Sequence, residues 1–281
     1  MWLVLLYGVL KGFREIVKKK SMEKNSVAEV LFFYTLIGFI IVIPSAFKMD
    51  AMPVKYYFLV ALKSFIIFVA WICSFKAIKK LPISLYGVLD LSRVLFAMLL
   101  GVMVLGEVLN YFQIAGLILV CAGLLLLKWN PFIKKHTQRT GVERIYVIFA
   151  FISCILNALS GLMDKLLMKE ITSSQLQFWY MLFLTVFYFI YLIFSKTKVN
   201  IKGAIKNYWI WILSIMFVIG DKALFIANGA GESRITIMTL IKQSCCIVTI
   251  LAGKVIFKEK QVGYKLFCAA VIIVGIVVSV L

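Results

Sequence analysis

Histidine is almost absent from this sequence of 281 residues: the only one is His136, in a polar stretch beside Lys134 and Lys135. The six cysteines show no CxxC spacing, and the adjacent Cys245 and Cys246 point to different faces of a helix. The HExxH and GxSxG motifs are also missing. The sequence therefore predicts no metal ion, no cofactor and no catalytic residue, and it favours a protein that is not an enzyme.

Acidic residues are scarce, with 12 Asp and Glu against 31 Lys and Arg and a net charge of +19. This excess would suit nucleic acid, but the basic residues lie mainly between apolar runs, as they do in loops that face anionic lipid. Hydrophobic residues make up 63% of the chain and the mean hydropathy is +1.03, whereas a soluble domain is roughly half apolar. The predicted partner is the lipid bilayer and not nucleic acid.

Long polar stretches are missing as well, so the chain leaves no room for a soluble domain. A membrane-spanning helix needs about 20 mainly apolar residues, and ten segments qualify, five on each side of a polar linker at 129–144. They cover residues 2–18, 27–47, 56–77, 83–105, 110–128, 145–168, 174–195, 207–229, 235–256 and 262–281. The sequence predicts an all-α polytopic membrane protein whose five-helix halves are residues 1–128 and 145–281.

The two halves resemble each other. An offset of 152 residues aligns Ser92 with Ser244, Leu99 with Leu251, Gly101 with Gly253, Glu107 with Glu259, and Gly123 with Gly275. Because each half has an odd number of helices, the second half enters the membrane in the opposite orientation. Inverted repeats of this kind are typical of secondary transporters, whose substrate site lies at the repeat interface near the bilayer midplane.

The fourth segment carries two charges near its middle, Asp90 and Arg93, with Tyr86 on the same stripe. Each charge at that depth costs on the order of 2.5–3.5 kcal/mol by insertion scales. Lys242 stands at the position aligned with Asp90, and Gln243 lies beside it. These residues indicate a pore lining that binds a polar substrate. The alternative is a structural ion pair that joins Asp90 to Arg93 or to Lys242.

Further cavity candidates share a position inside a predicted spanning segment: Lys11, Lys63, Trp71, Asn157, Asp221 and Lys222. Asp221 and Lys222 are neighbours, about 100° apart on a helix, so only one of them should face a given pore. Arg14 and Asp164 lie near helix ends, where long basic side chains extend to the headgroups. We therefore expect these two to face a cavity less readily.

The fifth and tenth segments contain glycines, including Gly116, Gly123 and Gly275, and almost no charge. This pattern indicates helices that pack closely or form a homodimer, not helices that line a pore. Glu107 and Glu259 lie in the short turns before these segments. We expect each carboxylate to oppose the positive end of the helix that it precedes.

The orientation follows from the distribution of Lys and Arg. The loops after the odd-numbered segments hold most of them, whereas the other loops have little beyond Lys48, Lys55, Lys169 and Arg234. By the positive-inside rule, the odd-numbered loops face the cytoplasm and both termini lie outside. The predicted location is the bacterial plasma (inner) membrane.

Nearly the whole chain resembles the EamA-type members of the drug/metabolite transporter superfamily. Residues 75–127, 225–240 and 257–277 carry the resemblance, above all the short turn with Glu107 that is followed by glycines in the next helix. The resemblance implies ten helices, alternating access, a cavity lined by segments 1, 3, 4, 6, 8 and 9, and peripheral segments 5 and 10. Such proteins often have a proline in the fourth helix, where this chain has Arg93, and their termini usually face the cytoplasm. For the orientation of the chain, we rely on the distribution of Lys and Arg, which places both termini outside.

Bases outnumber acids among the membrane-embedded residues: Lys11, Lys63, Arg93, Lys222 and Lys242 against Asp90 and Asp221. The sequence therefore predicts a secondary transporter for a small anionic or zwitterionic metabolite. Two alternatives remain open. One is a receptor or assembly subunit that transports nothing, and the other is a membrane-embedded enzyme that acts on a lipid-linked substrate.

Overall fold

The computed structural model describes residues 2–105, 110–128, 141–195, 199–229, 245–259 and 262–278. Over these ranges the chain forms helices and turns and no β-strand, which confirms the predicted all-α fold for this part of the chain. The helices are α1 (Trp2–Ser21), α2 (Val27–Val42), α3 (Val54–Lys80), α4 (Ile83–Asp90), α5 (Ser92–Leu105), α6 (Tyr111–Lys128), α7 (Gly141–Leu167), α8 (Ser173–Phe194), α9 (Ile201–Lys206), α10 (Tyr208–Gly229), α11 (Cys245–Val255) and α12 (Val262–Val278).

Within the described ranges, six stretches are long and apolar enough to cross a membrane: Val27–Phe47, Val54–Lys80, Ile83–Val104, Arg144–Leu167, Ser173–Phe194 and Tyr208–Ile226. Three shorter apolar helices cover Tyr111–Leu126, Cys245–Val255 and Val262–Val278. Lipid offers no hydrogen-bond partner to the backbone, so a spanning segment satisfies its own N–H and C=O groups by forming a helix. The chain is an integral membrane protein.

Side chains at the helix starts explain where several helices begin. Before α2, the Ser26 hydroxyl accepts a hydrogen bond from the Glu29 N–H at 3.2 Å, and the Glu29 carboxylate accepts one from the Ser26 N–H at 2.7 Å. Thr172 and Gln175 form the same reciprocal pair before α8. These pairs satisfy N–H groups that have no partner within the helix.

Two predicted segments are not continuous α-helices. The second changes at Ile43 into a 3₁₀-helix that ends at Lys48, where Pro44 lacks an N–H to donate. The fourth is broken at Leu91, between α4 and α5. At the break the Leu91 N–H bonds to the Val88 carbonyl at 3.2 Å, and the Val94 N–H bonds to the Leu91 carbonyl at 3.1 Å. These two bonds form a 3₁₀-type turn at Leu91 that separates α4 from α5.

Helices of the first half pack mainly against helices of the second half. Helix α1 packs against α10, α3 against α7, α2 against α8, α4 against α11, and α6 against α12. In terms of the predicted segments, α4 and α5 form the fourth, α6 the fifth, α7 the sixth, α8 the seventh, α10 the eighth, α11 part of the ninth, and α12 the tenth. The protein core is therefore the interface between the two halves.

Glycines allow α6 and α12 to approach each other closely. A Cβ atom at Gly275 would lie 2.7 Å from the Leu119 Cβ and 2.8 Å from the Gly116 carbonyl oxygen. A Cβ atom at Gly123 would lie 2.4 Å from the Ile272 Cγ1. These two helices are the segments predicted to pack or dimerise; they pack against each other within the chain, and the homodimer stays a prediction.

Replacing Gly275 with alanine is expected to lower the free energy of unfolding by about 1–3 kcal/mol, because the added methyl group meets backbone atoms of α6 that can move only if the helices separate. Gly263, also on α12, is the control, because a Cβ atom there meets nothing within 4 Å. We expect Gly263→Ala to change stability by no more than about 0.5 kcal/mol. Thermal unfolding in detergent measures both, and equal effects would contradict the close approach.

Candidate functional site

Asp90 is the last residue of α4, and two bases share its carboxylate. The Lys11 ammonium of α1 lies 2.8 Å from one carboxylate oxygen, and the Arg93 guanidinium of α5 lies 2.9 Å from the other. Only 3% of Lys11 and 7% of Asp90 is exposed. The predicted pair of Asp90 with Arg93 is therefore present, and Lys11 joins it from a helix far away in the sequence.

The ion group lies directly at the break in the fourth segment, with α7 beside it. The Cys154 thiol of α7 lies 3.7 Å from the Leu89 carbonyl oxygen and 4.0 Å from the Asp90 carboxylate. Helices α1, α4, α5 and α7 thus meet around one carboxylate. Because α7 belongs to the second half, this site lies at the interface between the halves.

Two other buried ion pairs each join a residue of the first half to one of the second. Arg14 of α1 lies 3.1 Å from Asp221 of α10, and Lys63 of α3 lies 2.8 Å from Asp164 of α7. All four residues are less than 10% exposed. Arg14 and Asp164 are each buried inside the bundle beside a group of opposite charge, and the expectation that they face a cavity less readily stays a prediction.

The two pairs correspond to each other with their signs exchanged. An offset of 150 residues aligns Arg14 in the first segment with Asp164 in the sixth. Arg14 meets Asp221 in the eighth segment, and Asp164 meets Lys63 in the third. The first half supplies both bases and the second half both acids, so the charges attract the halves to each other across the core.

Aromatic rings surround these ion pairs. The Lys63 ammonium lies 3.6 Å from the ring centre of Tyr180 and 5.0 Å from that of Phe225, and the Arg14 guanidinium lies 5.8 Å from that of Phe217. An aromatic face attracts a cation by roughly 0.5–2 kcal/mol, more where water is excluded. The rings therefore compensate part of the cost of burying the two bases.

Trp71 belongs to this aromatic cluster and is 7% exposed. Its ring centre lies 5.6 Å from that of Tyr34 and 5.2 Å from that of Phe217. The residue predicted to line the cavity thus lies among aromatic side chains next to the Arg14 pair. Its role in binding stays a prediction.

Three other predicted residues have local polar partners. Tyr86 and Ser74 form a hydroxyl pair at 2.7 Å. The Asn157 amide donates to the carbonyl and the hydroxyl oxygen of Ser153, one turn earlier on α7, at 2.7 and 3.1 Å. Lys222, the sequence neighbour of Asp221, donates to the Ser174 hydroxyl of α8 at 2.7 Å and lies apart from the Arg14 pair. Lys242 and Gln243 lie outside the described residues.

Glu259 forms a further contact between the halves. Its carboxylate accepts from the N–H groups of Ile83 and Ser84 at 2.5 and 3.2 Å and from the Ser84 hydroxyl. Lys265 lies 3.4 Å away and Lys19 4.0 Å away. We expected Glu259 to oppose the start of its own following helix; it caps the start of α4 in the other half instead.

The sequence at the start of α4 contains a signal that this helix needs a cap from elsewhere. Pro82 precedes α4 and provides no side-chain cap, so the first N–H groups of that helix need an acceptor from elsewhere. Nothing in the local sequence indicates which carboxylate supplies it. Glu107, the other residue of this prediction, lies outside the described residues.

Among the described residues, no group of three or more His, Cys, Asp and Glu side chains is arranged to hold a metal ion. The charges that lie inside the bundle instead form pairs and triads of base and acid. In such an arrangement, a charged molecule can bind by taking the place of one partner in a salt bridge.

Apolar spanning helices with buried charges paired between two halves are features of an integral membrane protein with a polar interior. Residues 1–129 match the family model of the EamA-like transporter family. A search of curated proteins finds no match.

A solved structure described as "Crystal structure of protein" has a similar fold, with a TM-score of 0.67 at 13% identity. The likeness covers 98% of this chain and 98% of that one. At this level of identity the likeness shows the fold, which extends through the second half, where the family model does not reach.

Proposed function

We propose that this protein is a secondary transporter with ten membrane-spanning helices in two inverted repeats, residues 1–128 and 145–281, joined by the linker 129–144. It moves a small anionic or zwitterionic metabolite by alternating access through a central cavity at the repeat interface. The observation that carries the proposal is the buried Asp90 carboxylate, shared between Lys11 and Arg93 at the break in a spanning segment.

The pattern of helix contacts supports the inverted repeat. Exchanging the two halves turns the contact of α1 with α10 into that of α7 with α3, and both contacts are extensive. The same exchange relates α2 with α10 to α8 with α3, and α1 with α11 to α7 with α5. The contacts of α2 with α8, α4 with α11 and α6 with α12 map onto themselves. An approximate twofold axis in the membrane plane produces this pattern.

The break in the fourth segment supports a substrate site at Asp90. Discontinuous helices near the midplane are where transporters of this kind bind substrates and coupling ions. A buried charge inside a membrane protein also has a high energetic cost, so its presence favours a functional role. The two features coincide at Asp90, the last residue before the break.

The balance of charge supports an anionic or zwitterionic substrate. Among the described residues of the ion groups, the bases Lys11, Arg14, Lys63 and Arg93 outnumber the acids Asp90, Asp164 and Asp221, four against three. A substrate carboxylate or phosphate competes with Asp90 for Lys11 and Arg93. When the substrate leaves, Asp90 binds the two bases again and compensates part of their positive charge while the protein changes state.

The Lys and Arg distribution supports an orientation with the odd-numbered loops in the cytoplasm and both termini outside, in the bacterial plasma membrane. The ends of α1 and α3 carry Lys18, Lys19 and Lys20, and Lys79 and Lys80, respectively. Both of these helix ends lie on the proposed cytoplasmic face.

The test is flux into liposomes against a panel of anionic, zwitterionic and cationic metabolites. We expect saturable uptake of an anionic or zwitterionic member and a loss of at least about tenfold in Asp90→Asn, which removes a charge-assisted bond. Lys242→Met tests the aligned position in the second half, and Asp50→Asn, at an exposed site, is the matched control. Unchanged flux in both site variants would contradict the assigned site, and binding without flux would favour the non-transporting receptor.

A further inference from the structure

A cavity of about 460 Å³ opens between α2, α3 and α7, separate from the ion pairs of the core. Three lysines of the last turns of α3 and three apolar or aromatic residues at the start of α7 form its main walls: Lys76, Lys79, Lys80, Ile145, Tyr146 and Phe149. Its volume lies within the range of about 300–1,000 Å³ that is usual for ligand sites.

The basic wall has unused capacity to bind an anion. Lys79 donates to the Asn25 carbonyl oxygen at 3.0 Å, and the Lys76 ammonium lies 5.9 Å from the ring centre of Phe149. The ion pairs found among the described residues include none of the three lysines. Three lysines therefore line one cavity, and within the described part of the chain none of them forms an ion pair. The nearby Glu29 carboxylate accepts hydrogen bonds from the Ser26 and Asn200 N–H groups instead.

The apolar wall continues along α7 as a stripe that faces away from the protein core. Ile145, Ile148, Ile152 and Ile155 follow one another at helical spacing, and they are 51%, 56%, 37% and 41% exposed. In an integral membrane protein, apolar side chains exposed in this way contact lipid chains. The cavity thus lies where a basic helix end meets a lipid-facing surface.

We propose that this cavity binds the phosphodiester headgroup of an anionic phospholipid, with Lys76, Lys79 and Lys80 around the phosphate and an acyl chain along the isoleucine stripe of α7. Basic cavities between spanning helices at the membrane surface recognise anionic headgroups. In this arrangement Tyr146 of the cavity wall would lie beside the headgroup, as aromatic side chains at membrane interfaces do. The site needs only that the protein is inserted in the membrane, and it is independent of the transported substrate.

The test is native mass spectrometry of the full-length protein in micelles that contain equal amounts of phosphatidylglycerol and phosphatidylcholine. We expect the wild type to retain phosphatidylglycerol selectively. The double variant Lys76→Gln/Lys80→Gln leaves the Lys79 bond to Asn25 intact and should bind this lipid about thirtyfold more weakly, roughly fivefold for each lysine removed. The control Lys202→Gln/Lys206→Gln removes the same charge from exposed lysines of α9 and should retain the lipid as the wild type does.

The single variant Lys80→Gln removes an exposed side chain and keeps the test valid if the double variant does not fold; it should bind about fivefold more weakly. Equal loss in the α9 control would overturn the proposal in favour of a general basic surface. Equal retention of phosphatidylcholine would overturn it as well. Displacement of the lipid by free glycerol phosphate at comparable concentration would overturn the lipid as occupant and indicate a soluble phosphate compound.

Discussion

Replacing Asp90 with asparagine should lower the free energy of unfolding by about 3–5 kcal/mol, the usual cost of removing one partner from a buried ion pair. The carboxylate is shared by Lys11 and Arg93, so its loss leaves the buried Lys11 and the partly buried Arg93 without the anion between them. Asparagine keeps the shape and a hydrogen-bonding group, so the effect reports charge and not a cavity. Chemical unfolding in mixed micelles measures it.

Two further variants serve as controls for the effect of Asp90→Asn. Asp50→Asn makes the same chemical change at an exposed site and should shift stability by no more than about 0.5 kcal/mol. Lys11→Met together with Asp90→Asn removes one base with the acid and should recover a large part of the loss. A stable double variant without flux would separate transport from folding. A loss of less than about 1 kcal/mol in Asp90→Asn would contradict the electrostatic role of this carboxylate.

Lys63→Met should have an effect of similar size, about 3–5 kcal/mol, because Lys63 is 1% exposed and Asp164 lies 2.8 Å away in the core. The variant also removes the cation from the faces of Tyr180 and Phe225. Methionine occupies a similar volume, so packing contributes little to the change. Thermal and chemical unfolding of the purified protein measure the loss.

Lys222→Met is the matched control, since it removes a half-buried lysine of a spanning helix whose bond goes to the neutral Ser174 hydroxyl. We expect it to lower stability by about 1 kcal/mol or less. Lys63→Met/Asp164→Asn removes both charges of the pair and should be more stable than Lys63→Met alone. If this double variant also keeps full flux, the pair only joins the halves; if flux is lost while stability returns, the pair takes part in transport.

Local signals in the sequence were sufficient to locate many helices. The starts of α2 and α8 are formed by local pairs, Ser26 with Glu29 and Thr172 with Gln175, whose bonds span only three residues. Pro44 and Pro82 mark a change of helix type and a helix start, because proline lacks an N–H. Length and hydropathy predicted ten spanning segments, since a bilayer imposes both, and six stretches of the described residues are long and apolar enough to span.

Partners far apart in sequence were not predicted. Arg14 and Asp221 are 207 residues apart, and helical periodicity shows which residues share a face but not which helix lies opposite. For the same reason, the contact of Lys63 with Asp164 was not predicted. Glu259 was recognised as a capping carboxylate, but the helix that it caps, α4, lies in the other half of the chain.

The sequence by itself determined the membrane class, the helical segments and the presence of buried charges, because these follow from composition and from the short-range geometry of a helix in lipid. Only the tertiary structure decided the pairing of those charges: Lys11 and Arg93 with Asp90, Arg14 with Asp221, and Lys63 with Asp164. Pairing depends on which helices pack together, and Coulomb attraction in a medium of low dielectric acts between spatial neighbours regardless of their distance along the chain.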